Sequence, residues 1–443
     1  MNKKQLVLLS AIITIVLALG AGTWLWKTVQ KPEQNVATQN AETKKREKPG
    51  SSKLTKEETK KKQVVRQEVN QLPTVDDKVK KLVSSMSLEE KVGQIMMVGF
   101  YGTEPSSSVT DMIENKHIGN IILFSRNMKS PKQVANLNND LQRLAQKQPY
   151  QLPFMIGVDQ EGGDILRMQE KVSPIPSQQA LGDVATAKQV YDVAKLNATE
   201  LQAMGFNTNF APVLDISDRD KRSFGSDAKK TYEYGKQVVK GLNDTNITGV
   251  VKHFPGNGRT NVDPHKDTSA VGANQEELED SDIYPFKQMI NEVDPDDFFV
   301  LVTHVKYPAY DAKKPASLSP VIMQTLLRDK LGYKGIVVTD DLEMGAVNKY
   351  YTYKDMGKEA LAAGADLLLV CHEYDHQLDV YNGIVEGVKS GEIPESRLNE
   401  AVTRVLTHKM KKLPTFTFVD ESKVNDIVGS AEHKKVIGNI LGQ

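Results

Sequence analysis

The sequence has little that would define a site by itself. It holds one cysteine, Cys371, in 443 residues, which excludes an intrachain disulfide framework and a Cys-rich metal site. It has no excess of either charge: 57 basic side chains face 57 acidic ones. Whole-chain electrostatics therefore favour no polyanionic partner, nucleic acid included. The eight histidines include no H-E-x-x-H, and His253 and His265 sit on a Gly/Pro-rich segment without regular ligand spacing, so no metal is expected. Walker A and G-x-S-x-G sequences are absent. The "EGG" at 161–163 is too short for a dinucleotide fingerprint. No cofactor is implied.

Long apolar runs occur once. Leu6 to Trp26 is almost wholly apolar, and about 20 such residues span a bilayer. Ala18, Leu19 and Gly20 could form a cleavage site, but Trp24, Leu25 and Trp26 prolong the run and suit an interfacial belt. The reading favours an uncleaved anchor over a cleaved signal, with no nearby cysteine to acylate. Residues 1–26 are thus expected to hold the chain in a bacterial cell membrane with the rest outside, or to export it if cleaved. Residues 27–74, rich in Lys, Glu, Gln, Thr and Ser, are expected to form a disordered, net-basic linker. Such a coil reaches roughly 40 Å.

From Val75 the composition becomes globular. Eight apolar runs recur at Gln94–Phe100, Asn120–Phe124, Phe154–Val158, Asn207–Leu214, Gly249–Phe254, Phe298–Val305, Gly335–Thr339 and Asp366–Cys371. Most are continuous rather than alternating, as strands buried on both faces are. Amphipathic helical segments separate them, among them Ser130–Gln146, Ala187–Met204 and Ser319–Leu331. The pattern predicts an α/β fold, a (β/α)8 barrel of the TIM type, over 75–415, followed by a short extension over 416–443.

Polar residues follow the C-terminal ends of these runs: Asp159 and Glu161, Asp215, Lys252 and His253, His304, Asp340 and Asp341, His372 and Glu373. A barrel gathers such positions on one face, where its active site lies. Helix capping explains some of the aspartates. It does not explain Lys252 and His253, nor the tandem Asp340 and Asp341. Carboxylates, basic groups and the Asp263/His265 pair on one face are what glycoside hydrolysis needs: a nucleophile, a proton donor and donors that grip hydroxyls. From spacing alone, Asp263 and His265 read rather as an unconnected solvated pair.

The stretches "VDQEGGDILRM", "NFAPVLDISDRDKRSFGSD", "VVKHFPGNGRTNVDPHKD", "LVTHVKYPAYD", "PASLSP" and "GIVVTDDLEMGAV" resemble, in order, the motifs of glycoside hydrolase family 3. The resemblance runs from about Leu88 to His372 and is closest to the bacterial β-N-acetylglucosaminidases. It implies Asp340 as the nucleophile, His265 as the general acid/base and Asp263 as its orienting partner. It also implies Asp159, Arg167, Arg222, Lys252 and His253 as the grip on N-acetylglucosamine. Asp341 ranks second, since alternation along a strand would point it away. Asn257, Arg259 and Asp164 depart from the family pattern, and Arg259 with Asp164 reads as a compensating charge exchange. Little chain follows Leu413, so a second domain of the kind that donates an acid glutamate in the family's β-glucosidases has no room here. Retaining hydrolysis of terminal β-N-acetylglucosamine from peptidoglycan-type fragments is the implied reaction. A β-glucosidase-like specificity and a non-catalytic wall-binding module are the alternatives.

Overall fold

In the computed structural model, which describes residues 56–260 and 266–442, every one of the eight apolar runs becomes a parallel strand. They are β1 (Met96–Val98), β2 (Asn120–Leu123), β3 (Met155–Val158), β4 (Thr208–Asn209), β5 (Thr248–Phe254), β6 (Phe298–Val302), β7 (Val337–Thr339) and β8 (Leu368–Val370). Each pairs with its sequence neighbour, and β1 pairs with β8. A single bridge between Val338 and Leu367 joins β7 to β8. The sheet is therefore an eight-stranded parallel barrel with one thin seam. A two-stranded antiparallel ribbon, Lys306–Tyr307 with Asp311–Pro315, extends the loop after β6.

The continuous apolar runs hide a period of two. Met97, Ile122, Met155, Val250, Phe299, Leu301, Val338 and Leu369 form an inner cluster that fills the barrel. Their chain neighbours Met96, Val98, Ile121, Ile156, Val251, Val300, Val337 and Leu368 belong to an outer cluster shared with the helices. Both faces are dry, so both carry apolar side chains. Gly157 shares this inner parity but carries no side chain. A Cβ there would stand 2.8 Å from the Phe210 ring, so its absence gives Phe210 its place.

The helices expected from the amphipathic segments are present as Pro131–Lys147, Ala187–Ala203 and Val321–Lys330, the last wound in π form. Ser130 and Thr186 cap the first two through their side chains.

One expectation needs correction. The disordered linker of 27–74 does not extend over its final third, because Lys56–Gln71 is an α-helix. Its Lys, Glu and Gln are good helix formers, and Glu57 pairs with Lys61 one turn on, at 3.1 Å. Val69 is fully buried, Lys62 pairs with Glu90, and Glu68 pairs with Lys81 at 2.7 Å. A narrow apolar stripe docked on a neighbour suffices to order a segment that has no core of its own. No helix among the described residues is long and apolar enough to cross a membrane. The expected anchor, Leu6–Trp26, lies outside the described residues.

Beyond the barrel, residues 416–443 include the helices Val424–Ile427 and Ala431–Leu441. Their Val424, Val428 and Ile437 join the outer core.

Candidate active site

The inward parity of three strands delivers three charged side chains to the C-terminal mouth of the barrel. Asp159 stands two residues beyond Gly157, Lys252 two beyond Val250, and Asp340 two beyond Val338. They border a cavity of about 140 Å³ whose apolar floor includes Ile122, Phe210, Leu301 and Leu369. Phe124, Arg222, His253, Asp341, Met344, Cys371 and His372 complete its wall.

Opposite charges interlock around this cavity. The Lys252 ammonium lies 2.8 Å from Asp159 and 2.7 Å from Glu161. Arg222 donates both arms of its fork to Glu161, at 2.7 and 2.8 Å, a geometry that guanidinium and carboxylate share. Arg167 reaches Asp159 at 3.6 Å. His253 Nδ1 lies 2.7 Å from Asp215, which also accepts the backbone amides of His253 at 3.1 Å and Asn257 at 2.7 Å.

These contacts decide the protonation states. Burial alone would push the Glu161 carboxyl up, but Lys252 and Arg222 overcome it and bring its pKa down to about 2. Burial would likewise lower the Lys252 pKa, yet Asp159 and Glu161 hold it above the ordinary lysine value. Asp215 is buried too, and His253 with the two amides keeps it ionised. The mouth therefore presents fixed charges at neutral pH.

Asp340 differs from Asp159 and Glu161 because no ammonium or guanidinium is in contact with it among the described residues. Burial raises its pKa, but His304, His253, the Asp341 amide and Lys252 outweigh that and hold it below the ordinary aspartate value. The Asp341 amide donates to Asp340 Oδ1 at 2.9 Å. An ionised carboxylate that lines a cavity without a fixed counter-charge in contact is chemically available.

Asp341 does not turn away as alternation predicts. Strand β7 ends at Thr339, so parity lapses, and the Asp341 carboxylate also lines the cavity. It accepts from the Cys371 and Glu343 amides, both at 3.2 Å, and pairs with His372 at 3.2 Å. The Asp341 carbonyl meets His304 Nε2 at 2.8 Å. Asp341 thus ties the end of β7 to the end of β8.

The charge exchange expected between Arg259 and Asp164 is also corrected. Arg259 pairs with Asp282 at 2.7 Å, and Asp164 is 3.9 Å from Lys221 on the surface. Asn257 contributes its backbone amide, while its side-chain oxygen is buried without a partner among the described residues.

The structure thus brings Asp340, Asp159, Arg167, Arg222, Lys252 and His253 together. Asp263 and His265 lie outside the described residues. Glu161 and Asp215, left out of the predicted set, hold its members: Glu161 holds Lys252 and Arg222, and Asp215 holds His253. Their signal was present in the sequence, since both follow strand ends. Phe124 was equally visible as the last residue of its run.

Barrel, strand-end charges and available carboxylate together define a carbohydrate-hydrolase type of site. The family model described as glycosyl hydrolase family 3 N terminal domain matches residues 87–408, and the chain belongs to that family of glycosidases. It is 36% identical to a solved glycoside hydrolase family 3 β-N-acetylglucosaminidase from Paenibacillus sp. str. FPU-7, with a TM-score of 0.77, over 80% of this chain and 68% of that one. A β-hexosaminidase of Nitrosomonas eutropha is 31% identical, over 63% of this chain and 81% of its own length. β-Hexosaminidase A of Pseudoalteromonas piscicida is 28% identical over 74% of this chain, which spans only 59% of that relative.

Proposed function

We propose that the chain is a retaining exo-β-N-acetylglucosaminidase acting on peptidoglycan-type fragments. The observation that carries this reading is Asp340: an ionised, cavity-lining carboxylate set beside the Asp159–Lys252–Glu161–Arg222 network. In the proposed first step an Asp340 oxygen bonds to the anomeric carbon as the carbon–aglycone oxygen bond breaks. His265, oriented by Asp263, gives its proton to the departing oxygen. In the second step His265 takes a proton from water, the water oxygen bonds to the anomeric carbon, and the ester to Asp340 breaks with net retention.

The network supplies the grip. Asp159 offers acceptor oxygens to ring hydroxyls, while Lys252 and Arg222 offer charged donors. Glu161 and Asp215 face Lys252, Arg222 and His253 and hold them in place before any sugar arrives, so ordering costs little at binding. Relatives named β-hexosaminidase and β-N-acetylglucosaminidase support the 2-acetamido sugar over glucose. The apolar Leu6–Trp26 supports a membrane tether that would leave the barrel facing the cell wall.

Comparing an aryl β-N-acetylglucosaminide with the matching aryl β-glucoside tests the specificity. The expected preference in kcat/KM is about 100-fold or more for the acetamido sugar. Equal or reversed rates would move the enzyme to a β-glucosidase-like specificity, and no turnover of either would leave a wall-binding module. Cell fractionation tests the tether: the full chain is expected in the membrane pellet, and its recovery as a shortened soluble protein would show cleavage instead.

A further inference from the structure

The arm from Asp159 to Ser177 carries Asp159, Glu161 and Arg167 out from β3 and back. Gly162 and Gly163 make the turn at its root, with φ of +105° and +56°. Arg167 is tied to that root, for its amide donates to the Gln160 side chain at 2.7 Å. The helix Ala187–Ala203 holds the arm at two points on one face. Asn197 donates to the Gln160 carbonyl at 2.9 Å. One turn on, Glu200 accepts from the Ser173 amide at 3.1 Å and the Ser173 hydroxyl at 2.5 Å.

Glu200 is 2% exposed and Ser173 fully buried, so this carboxylate needs its hydrogen bonds from protein. Its other two donors come from the chain's last residues. The Gly429 amide donates to it at 2.9 Å, and His433 Nδ1 lies 2.8 Å away. Both residues lie beyond the 87–408 covered by the family model. Gly429 also abuts the arm directly: a Cβ there would come within 2.7 Å of the Lys171 carbonyl oxygen.

We propose that the C-terminal segment is a working part of the sugar site. His433 and the Gly429 amide hold Glu200, Glu200 holds Ser173, and Ser173 fixes the arm that presents Arg167 to Asp159. Glu200 and His433 are positioning residues, since neither lines the cavity. A carboxylate in a dry site that loses one of four donors reorients or admits water. Ser173, which donates to both of its oxygens, shifts with it.

The role assigned to the arm rests on the proposed glycosidase reading, so the test has an arm that needs no turnover. In full-length His433→Ala, amide hydrogen exchange over 160–177 is expected to rise about tenfold, the size of one lost hydrogen bond to a charged group. KM for the aryl β-N-acetylglucosaminide is expected to rise about threefold to tenfold, with kcat within about twofold. His433→Asn, whose side-chain amide can donate from near the Nδ1 position, is expected to restore both. Exchange and KM that stay at wild-type values overturn the proposal, as does a lowered melting temperature with an unchanged arm. If the wild-type protein hydrolyses no such sugar, the glycosidase reading falls and the exchange result alone decides the positioning.

Discussion

Two fully buried lysines stand at opposite ends of the barrel, and their contrast shows what makes one end a site. At the mouth, Lys252 meets two carboxylates and its pKa is raised. At the other end, Lys409, from the helix Glu395–Lys412, meets only neutral oxygens among the described residues: Gln94 Oε1 at 3.0 Å and the Gly119 carbonyl at 2.8 Å. Burial there lowers its pKa to about 7. Beside it, buried His408 faces Thr248 at 3.3 Å and the Phe299 ring, and its pKa falls to about 3. Burial strips both ends of water. Around Lys252 opposed charges beside a cavity replace that water, and such a preorganised field can bind and polarise a polar ligand. Around Lys409 and His408 neutral groups replace it, and the pair forms a polar plug.

The contrast can be broken one charge at a time. Asp340→Asn, which removes a cavity-lining carboxylate with no ammonium or guanidinium in contact among the described residues, is expected to lower kcat by roughly 10⁴-fold or more in assays of aryl N-acetylglucosaminide turnover. Lys252→Met leaves Asp159 to Arg167 and Glu161 to Arg222 alone, and is expected to cost about 3–5 kcal/mol in denaturant unfolding, besides weakening the sugar grip.

Glu161→Gln is expected to cost less, about 2–3 kcal/mol at neutral pH, and it carries a pH signature. The Glu161 folded pKa, about 2, lies below the ordinary 4.5. Its contribution is present above pH 4.5 and is lost as pH falls towards 2. The wild-type minus variant difference in unfolding free energy should therefore shrink across that window.

Lys409→Met is expected to change stability least, by about 1–2 kcal/mol at pH 7, because lost hydrogen bonds offset relieved desolvation. Between about pH 7 and 10.5 the unfolded Lys409 binds more protons than the folded one, so its effect makes the wild-type protein more stable as pH rises. That rise should be missing from the variant. A rise that persists unchanged would show that Lys409 stays charged when folded, and the contrast with Lys252 would fail.

The strands were legible because a parallel barrel buries both faces of each one, leaving eight apolar runs that few other folds require. Their ends were less so. Asn207–Leu214 shortens to Thr208–Asn209, since Pro212 has no amide to give a ladder and Phe210 turns into the barrel. The inward parity that aims Asp159, Lys252 and Asp340 was hidden by apolar residues on both faces. Pairings between distant segments left no trace in the sequence. Arg222 and Glu161 lie 61 positions apart, and the Glu200–His433 contact spans 233. The ordering of Lys56–Gln71 escaped notice because it depends on one docked valine stripe rather than on composition. Arg259 was assigned to the wrong carboxylate because charge alone cannot choose among acidic partners.

Trapping the covalent intermediate tests the central claim, that the counter-charged mouth is a glycosidase site with Asp340 as its nucleophile, most directly. The full-length protein would be incubated with a fluorinated N-acetylglucosaminide whose glycosyl-enzyme turns over slowly, and then weighed intact and as peptides. The account expects the mass of one sugar, carried by the peptide containing Asp340 and absent from Asp340→Asn. An unmodified protein after full exposure, or a sugar on any other residue, would contradict it.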